Sequence, residues 1–374
     1  MSKSALVIGA GIVGLATARA LALRKHKVTV IDRTQRAIGA SIRNFGMIWP
    51  IGQPDGQLYE RAMLSRSIWK EVCNDAGIWY DEVGSLHVAY KADEWQVLQE
   101  FKDIAGDKRS CHLLSMSQTI QRNEAIVKHN LYGSLFSKDE MIVDPREAIE
   151  KIPLWLTEKF GVKFIWGKAV TDIRYPAVYA GKEEFTADEI YVCSGADFET
   201  LYPEIFIDAP ITKCKLQMLR LAAQPDSWRM GPALCGGLSL IHYKSFEASS
   251  SLAVLKKRYE NEYGDYIKWG IHVMAAQNQA GELTVGDSHE YGLTNDPFDR
   301  QFINQLIRNY LKTFARFGNE TVIETWNGIY AKSTSGQSDI ILSPENGVTI
   351  INGLGGAGMT LSFGLTEQLI AAKG

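Results

Sequence analysis

The chain opens with apolar runs of two different lengths and rhythms. Leu6-Val7-Ile8 is a short continuous apolar run, the kind a strand covered on both faces takes, and it breaks at Gly9. From Ile12 to Leu23 alanine and leucine recur without proline, which predicts a helix. The basic run Arg24-Lys25-His26-Lys27 then sits at the negative end of the helix dipole. Val28-Thr29-Val30-Ile31 is a second apolar strand, ending at Asp32. Strand, helix and strand in this order predict a parallel βαβ unit.

The turn inside that unit carries glycine at Gly9, Gly11 and Gly14. The first permits the tight turn, the second lets backbone approach a pyrophosphate, and the third lets the helix pack on the strand. Asp32 stands eighteen residues after Gly14, where a carboxylate can accept from both hydroxyls of an adenosine ribose. A dinucleotide is the expected ligand. An acidic residue here disfavours a 2′-phosphate.

Further along, helical patterns at Leu58 to Ala76 and Ala92 to Ile104 bracket a strand-like run from Gly84 to Tyr90. Asp144 is placed to cap a helix running from Arg146 to Phe160, with Pro145 at its first position. Strands are expected at Val162 to Trp166, Ala169 to Ile173 and Asp188 to Val192. From Pro210 the character changes. Strand-like runs Lys213 to Ala222, Ser239 to Tyr243, Ile271 to Ala276 and Leu283 to Gly286 surround one helical stretch, Ser250 to Tyr263. Short or polar connections make this a mostly antiparallel sheet. A helix from Pro297 to Phe317 carries Phe298, Phe302, Leu306, Tyr310 and Phe314, read as a core-facing stripe. A last strand, Gly347 to Asn352, leads through a glycine-rich turn into a helix from Gly358 to Ala372.

The predicted class is α/β plus α+β: a Rossmann-like FAD/NAD(P)-binding domain with an inserted, mostly antiparallel substrate domain. Its expected bounds are 1–82, 141–208 and 322–374 for the nucleotide domain, and 83–140 with 209–321 for the substrate domain.

Composition narrows the function classes. The 374 residues are 45% hydrophobic and 22% charged with a net charge of −3, an ordinary globular balance with no pull towards nucleic acid. Five cysteines, with no C-x-x-C pair, indicate neither a disulfide framework nor a zinc site, so no metal is expected and a reducing cytoplasm fits. Lys3 is a single charge before a run that holds the nucleotide fingerprint, so the N-terminus is read as mature structure. No stretch reaches the roughly 18 apolar residues of a membrane span, so no integral membrane association is expected.

After Asp32 and Arg33 the loop Gly39-Ala40-Ser41-Ile42-Arg43-Asn44-Phe45-Gly46 supplies a hydroxyl, an amide and close-approach glycines. It lacks the last glycine of a nucleophile elbow, which argues against a hydrolase. With Leu6 to Gly14 and the Asp32-Arg33 strand end, this loop resembles the D-amino-acid oxidase family of FAD-dependent oxidoreductases, which includes glycine and sarcosine oxidases. The resemblance implies FAD contacts at Gly9, Gly11, Ile12, Val13, Gly14, Asp32 and Arg33, and at Ala40, Ser41, Asn44, Phe45 and Gly46. It adds Val170 beside adenine and Ser194 with Gly195 at a second turn. The last turn and helix start add Gly353, Gly355, Gly356, Gly358, Met359 and Thr360, where backbone N–H groups meet the N1–C2=O edge of the flavin.

Departures from the family pattern carry information too. Gly328 stands where sarcosine oxidases link flavin through cysteine, which implies noncovalent FAD. Tyr330 stands where amino-acid oxidases hold the substrate carboxylate with arginine, and Thr360 lies near a lysine position of sarcosine oxidases. The wording Ser41 to Pro50 and Gly286-Asp287-Ser288-His289-Glu290-Tyr291 resembles a branch associated with aminophosphonate breakdown. The implied substrate is 2-aminoethylphosphonate or an N-methyl or hydroxy relative, oxidised by hydride transfer to flavin N5. Arg43, Trp49, His272, Tyr330 and Lys332 are the candidates around it. The electron acceptor is O2 or, alternatively, a quinone or protein carrier; a noncatalytic flavin-binding module is the remaining reading.

Overall fold

The computed structural model describes residues 3–373, so residues 1, 2 and 374 of the expected domain bounds lie outside it. Ser4–Ile8 sits inside a six-stranded sheet between Glu189–Val192 and Lys27–Asp32, with Lys163–Trp166 beyond Lys27–Asp32 and Val348–Asn352 beyond Glu189–Val192. These four pairings are parallel; the edge strand Ile340–Leu342 is antiparallel. Parallel strands covered on both faces need apolar side chains on both, which explains why Leu6, Val7, Val30, Ile31, Ile190 and Val192 are all buried.

Helix Ile12–Leu23 is buried at Leu15, Ala16, Ala18, Ala20 and Leu21, and its alanines let neighbouring helices approach closely. The C-terminal helix Gly358–Ala371 packs on it and on helix Gln57–Ala76. Two hydrogen bonds fix that last contact. Trp69 Nε1 donates to the Met359 carbonyl at 2.7 Å, and Gly364 N–H donates to Ser65 Oγ at 2.7 Å. A Cβ on Gly364 would lie 2.4 Å from the Arg61 carbonyl oxygen, so the approach requires glycine. Asp144 caps Pro145–Phe160 as expected, accepting from Arg146 N–H and Glu147 N–H.

The second sheet has nine strands, antiparallel except where Ala233–Cys235 runs parallel to Ser85–Ala89. Its long members are Ile211–Leu221 and Val322–Ser333, paired along their whole length. Residues 322–333, expected in the nucleotide domain, thus pair with the second sheet, and Lys332 also bridges to Leu354 of the nucleotide unit.

Three local expectations need correction. Ser239 to Tyr243 is not a strand but part of helix Leu238–His242, entered through Gly236 and Gly237, with Leu238 N–H donating to Tyr310 Oη at 2.9 Å. Five apolar-rich residues are too few for periodicity to separate strand from helix. Ala169 to Ile173 is mostly loop; the strand is Asp172–Arg174 in a small three-stranded sheet, and Val170 precedes it. The helix read as Pro297 to Phe317 spans Gln301–Phe314, and its buried face is Ile303, Ile307, Tyr310, Leu311 and Phe314. Phe298 and Phe302 are 76% and 46% exposed. A strict four-residue spacing drifts about 40° per step around a helix. A stripe built on that spacing leaves the core face before it ends.

Candidate active site

A cavity of about 1300 Å³ runs from the carboxyl ends of the parallel strands to the nine-stranded sheet. This is where open α/β sheets bind ligands. Its volume exceeds the roughly 300–1,000 Å³ of a single small-molecule pocket, leaving room for a dinucleotide and a second ligand.

The end expected to take the phosphates is built from backbone. Gly11 precedes helix Ile12–Leu23, and Ser41 Oγ accepts from Ile12 N–H at 2.9 Å, which draws the Gly39 to Gly46 loop over the helix start. A Cβ on Gly9 would lie 2.4 Å from the Cys193 carbonyl oxygen, and one on Gly11 3.1 Å from Ser41 Oγ. Asp32 Oδ2 accepts from Ala10 N–H at 2.8 Å, while Oδ1 accepts from the Thr34 N–H and hydroxyl. Arg33 donates to Asp197 at 2.6 Å. Across the cavity, Asn352 Nδ2 donates to the Gly195 carbonyl at 2.9 Å and its Oδ1 accepts from Gly353 N–H at 2.7 Å, tying together two of the turns expected to meet the cofactor.

The cradle therefore fits a flavin dinucleotide: a glycine turn without room for side chains, a ribose-side carboxylate, and the N-terminus of helix Gly358–Ala371 opening on the cavity through Gly356, Ala357 and Met359. Residues 4–372 match the model of the DAO family, FAD dependent oxidoreductase. The chain belongs to that family. Among solved structures, this oxidoreductase is similar to glycine oxidase from Bacillus cereus, with a TM-score of 0.79 at 16% identity over 100% of this chain and 96% of that one. It is also similar to L-proline dehydrogenase from P. horikoshii, with a TM-score of 0.78 at 19% identity, covering 100% and 93%. At these identities the likeness is one of fold. A curated relative, D-amino acid dehydrogenase from Helicobacter pylori, is 25% identical over 53% of this chain and 61% of its own length. The match thus spans less than two thirds of that relative.

The oxidoreductase places most expected cofactor residues on the cavity: Gly9, Gly11, Ile12, Val13, Asp32, Arg33, Ala40, Ser41, Asn44, Phe45, Val170, Ser194, Gly195, and the turn from Gly353 through Thr360. Gly14 and Gly46 do not line it. Their glycines serve chain against chain: a Cβ on Gly14 would lie 1.8 Å from the Gly9 carbonyl oxygen, and one on Gly46 2.0 Å from that of Val143. Asn44 spends its amide on the loop itself, donating to the Ala40 and Ser41 carbonyls and accepting from Gly46 N–H. Thr360 Oγ1 accepts from Trp49 N–H at 2.9 Å, joining the helix start to the segment that follows the Gly39 to Gly46 loop.

All five candidates around the substrate line the cavity. Arg43 donates to the Asn327 carbonyl at 3.2 Å. Gly328 passes the same loop so closely that a Cβ there would lie 3.2 Å from the Arg43 carbonyl oxygen. Tyr330 is buried against the glycine turn, its hydroxyl 3.5 Å from where a Gly356 Cβ would be. Lys332 Nζ donates to Tyr291 Oη at 2.8 Å, and burial lowers its pKa. Trp49 is buried with Nε1 unpartnered.

His272 has company that local sequence did not announce. Its ring centroid lies 3.7 Å from that of His242 and 5.3 Å from that of His289, and its Nε2 is 3.1 Å from Asp287 Oδ1. Burial holds the His242 and His272 imidazoles well below their ordinary pKa, takes His289 down to about 4, and pushes the Asp287 carboxyl well up. His242 was hidden in a helix read as a strand. His289 and Asp287 lie in a segment singled out for its wording alone.

Proposed function

We propose that the chain oxidises a small amine whose far end is a dianion, a 2-aminoethylphosphonate or its N-methyl or hydroxy relative, using noncovalently held FAD. The reading is carried by the cavity lining, which offers Arg43 and Lys332 as cations and places tyrosine at position 330. FAD, when bound, supplies the two-electron acceptor. The chain's own residues do the rest: position the amine, hold its anionic end and exclude water. Arg suits bidentate contact with an oxyanion and Lys adds a point charge.

The amine must be neutral to lose hydride, and the surroundings favour that form. Burial disfavours the charged forms of both His272 and Asp287, which weakens the pull of this wall on an ammonium. Noncovalent binding is supported by Gly328 and by the state of Cys193, the cysteine on the cavity, whose thiol burial pushes up to about 12. A carrier rather than O2 as acceptor is the second reading, favoured by curated relatives named dehydrogenases.

The test is anaerobic bleaching of bound flavin by a panel of amines ending in phosphonate, phosphate or carboxylate. Fastest reduction by the phosphonates is expected, with KM raised in Arg43→Ala or Lys332→Met. Faster reduction by glycine, sarcosine or D-alanine refutes the phosphonate reading. Reoxidation of the bleached enzyme by O2 against a soluble quinone then separates the two acceptors.

A further inference from the structure

We infer that His242, His272 and His289 form a site for a divalent transition-metal ion of the zinc type, open to the substrate cavity and supported by Asp287. One nitrogen from each imidazole falls within 4.8 Å of the other two, and all three rings line the cavity. One buried polar atom in the cluster, His272 Nδ1, has no hydrogen-bond partner, while the same ring's Nε2 lies 3.1 Å from Asp287 Oδ1. Buried lone pairs without donors cost free energy, and a cation satisfies them. His289 has the hydrogen bond that metal-bound imidazoles usually have: its Nδ1 lies 2.8 Å from the Gly270 carbonyl, so Nδ1 carries the proton and Nε2 keeps a free lone pair. That Nε2 lies 3.9 Å from Asp287 Oδ2.

Tetrahedral zinc with bonds of about 2.0–2.1 Å needs nitrogens about 3.4 Å apart, so the rings close inward by side-chain rotation when the ion enters. Three protein ligands leave the fourth position for a ligand from the cavity.

The charges suggest what that ligand is, and this step rests on the dianion reading above. A divalent ion and the Lys332 ammonium are both cationic, the complement of a phosphonate dianion. The metal and Lys332 would then hold the anionic end together. The cysteine pattern had argued against zinc, but these ligands come from a helix, a strand-entry position and a loop, with no shared motif.

The FAD-loaded enzyme, stripped with a chelator, is titrated with Co2+, and with Zn2+ followed by elemental analysis. One equivalent per chain is expected, with Co2+ d–d bands to the red of the flavin absorption. His272→Gln and His289→Gln should abolish the bands while the flavin spectrum is retained, and Asp287→Asn should weaken binding by roughly 10–100-fold. The exposed His129→Ala should change nothing. No uptake by the wild type, or full uptake by the His272→Gln/His289→Gln double variant, overturns the site. Inorganic phosphate should shift the Co2+ bands; a bound ion whose bands neither phosphate nor 2-aminoethylphosphonate moves overturns the anion role and leaves the dianion reading to stand on Arg43 and Lys332 alone.

Discussion

Removing the Asp32 carboxylate should weaken FAD binding by about 3 kcal/mol, roughly 150-fold in Kd. An ionised carboxylate has about four lone-pair sites, and the Ala10 N–H, the Thr34 N–H and the Thr34 hydroxyl already take three. The geometry therefore leaves about one site for a ribose hydroxyl rather than the two expected from spacing alone. A hydrogen bond to a charged group contributes about 1.5–3 kcal/mol, and orphaning the Ala10 N–H beneath a bound cofactor costs about 1–3 kcal/mol more. The assay is titration of apoprotein with FAD, followed by quenching of flavin fluorescence, for wild type and Asp32→Ala. FMN is the control, because it lacks the adenosine half. Its affinity should stay within about twofold if the lost energy lies at the ribose. Unchanged FAD affinity refutes the ribose contact. An equal loss for FMN means that the variant has damaged the turn rather than removed a ligand contact.

Acid precipitation should release intact FAD into the supernatant; flavin remaining with the pellet would contradict noncovalent binding. Gly14→Ala should destabilise the fold by about 3 kcal/mol in urea, since its Cβ meets the Gly9 carbonyl oxygen, whereas Gly356→Ala, with its nearest neighbour at 3.5 Å, should fold normally. Glu140 is fully buried, its two oxygens accepting from Ile51 N–H and Ser85 Oγ, and burial takes its carboxyl from 4.5 to about 7. The folded state holds this proton where the unfolded state has lost it, so the stability it contributes is full below about pH 4.5 and lost as pH rises through about 7, some 3 kcal/mol in all. Glu140→Gln should flatten urea-unfolding stability between pH 5 and pH 8; an unaltered slope assigns that dependence elsewhere.

The nucleotide half was legible because its signals are local and redundant. Gly9, Gly11 and Gly14, the following alanine-rich helix and Asp32 lie in one βαβ unit, and each constrains the same turn. Even there, sequence could not separate a glycine that faces ligand from one that faces backbone: Gly14 and Gly46 follow the pattern yet meet only the chain itself. The misread segments are those where pattern is weakest. Leu238–His242 is five residues long, and the Phe298 to Phe314 spacing imitates a stripe while rotating off the core.

The substrate end was only partly legible, for a reason rooted in sheet geometry. His272 and His289 are brought together because the strands around them pair antiparallel, Met274 opposite Gly286, which places residues from both sides of one hairpin at a single end of the cavity. His242 arrives from a separate helix. No spacing rule connects positions 242, 272 and 289; the sheet register does. That register also decides which cations can act together. Gly328 and Lys332 are four residues apart on one strand, about 13 Å along it, and Arg43 packs at the Gly328 end. The two cations therefore reach a small substrate from points well separated along this strand. If its anion sits at the Lys332 end with the histidines, Lys332→Met should raise KM more than Arg43→Ala does, and Arg43→Ala should lower kcat by misdirecting the amine. The reverse pattern would place the anion beside Gly328 and remove the histidine cluster from substrate binding.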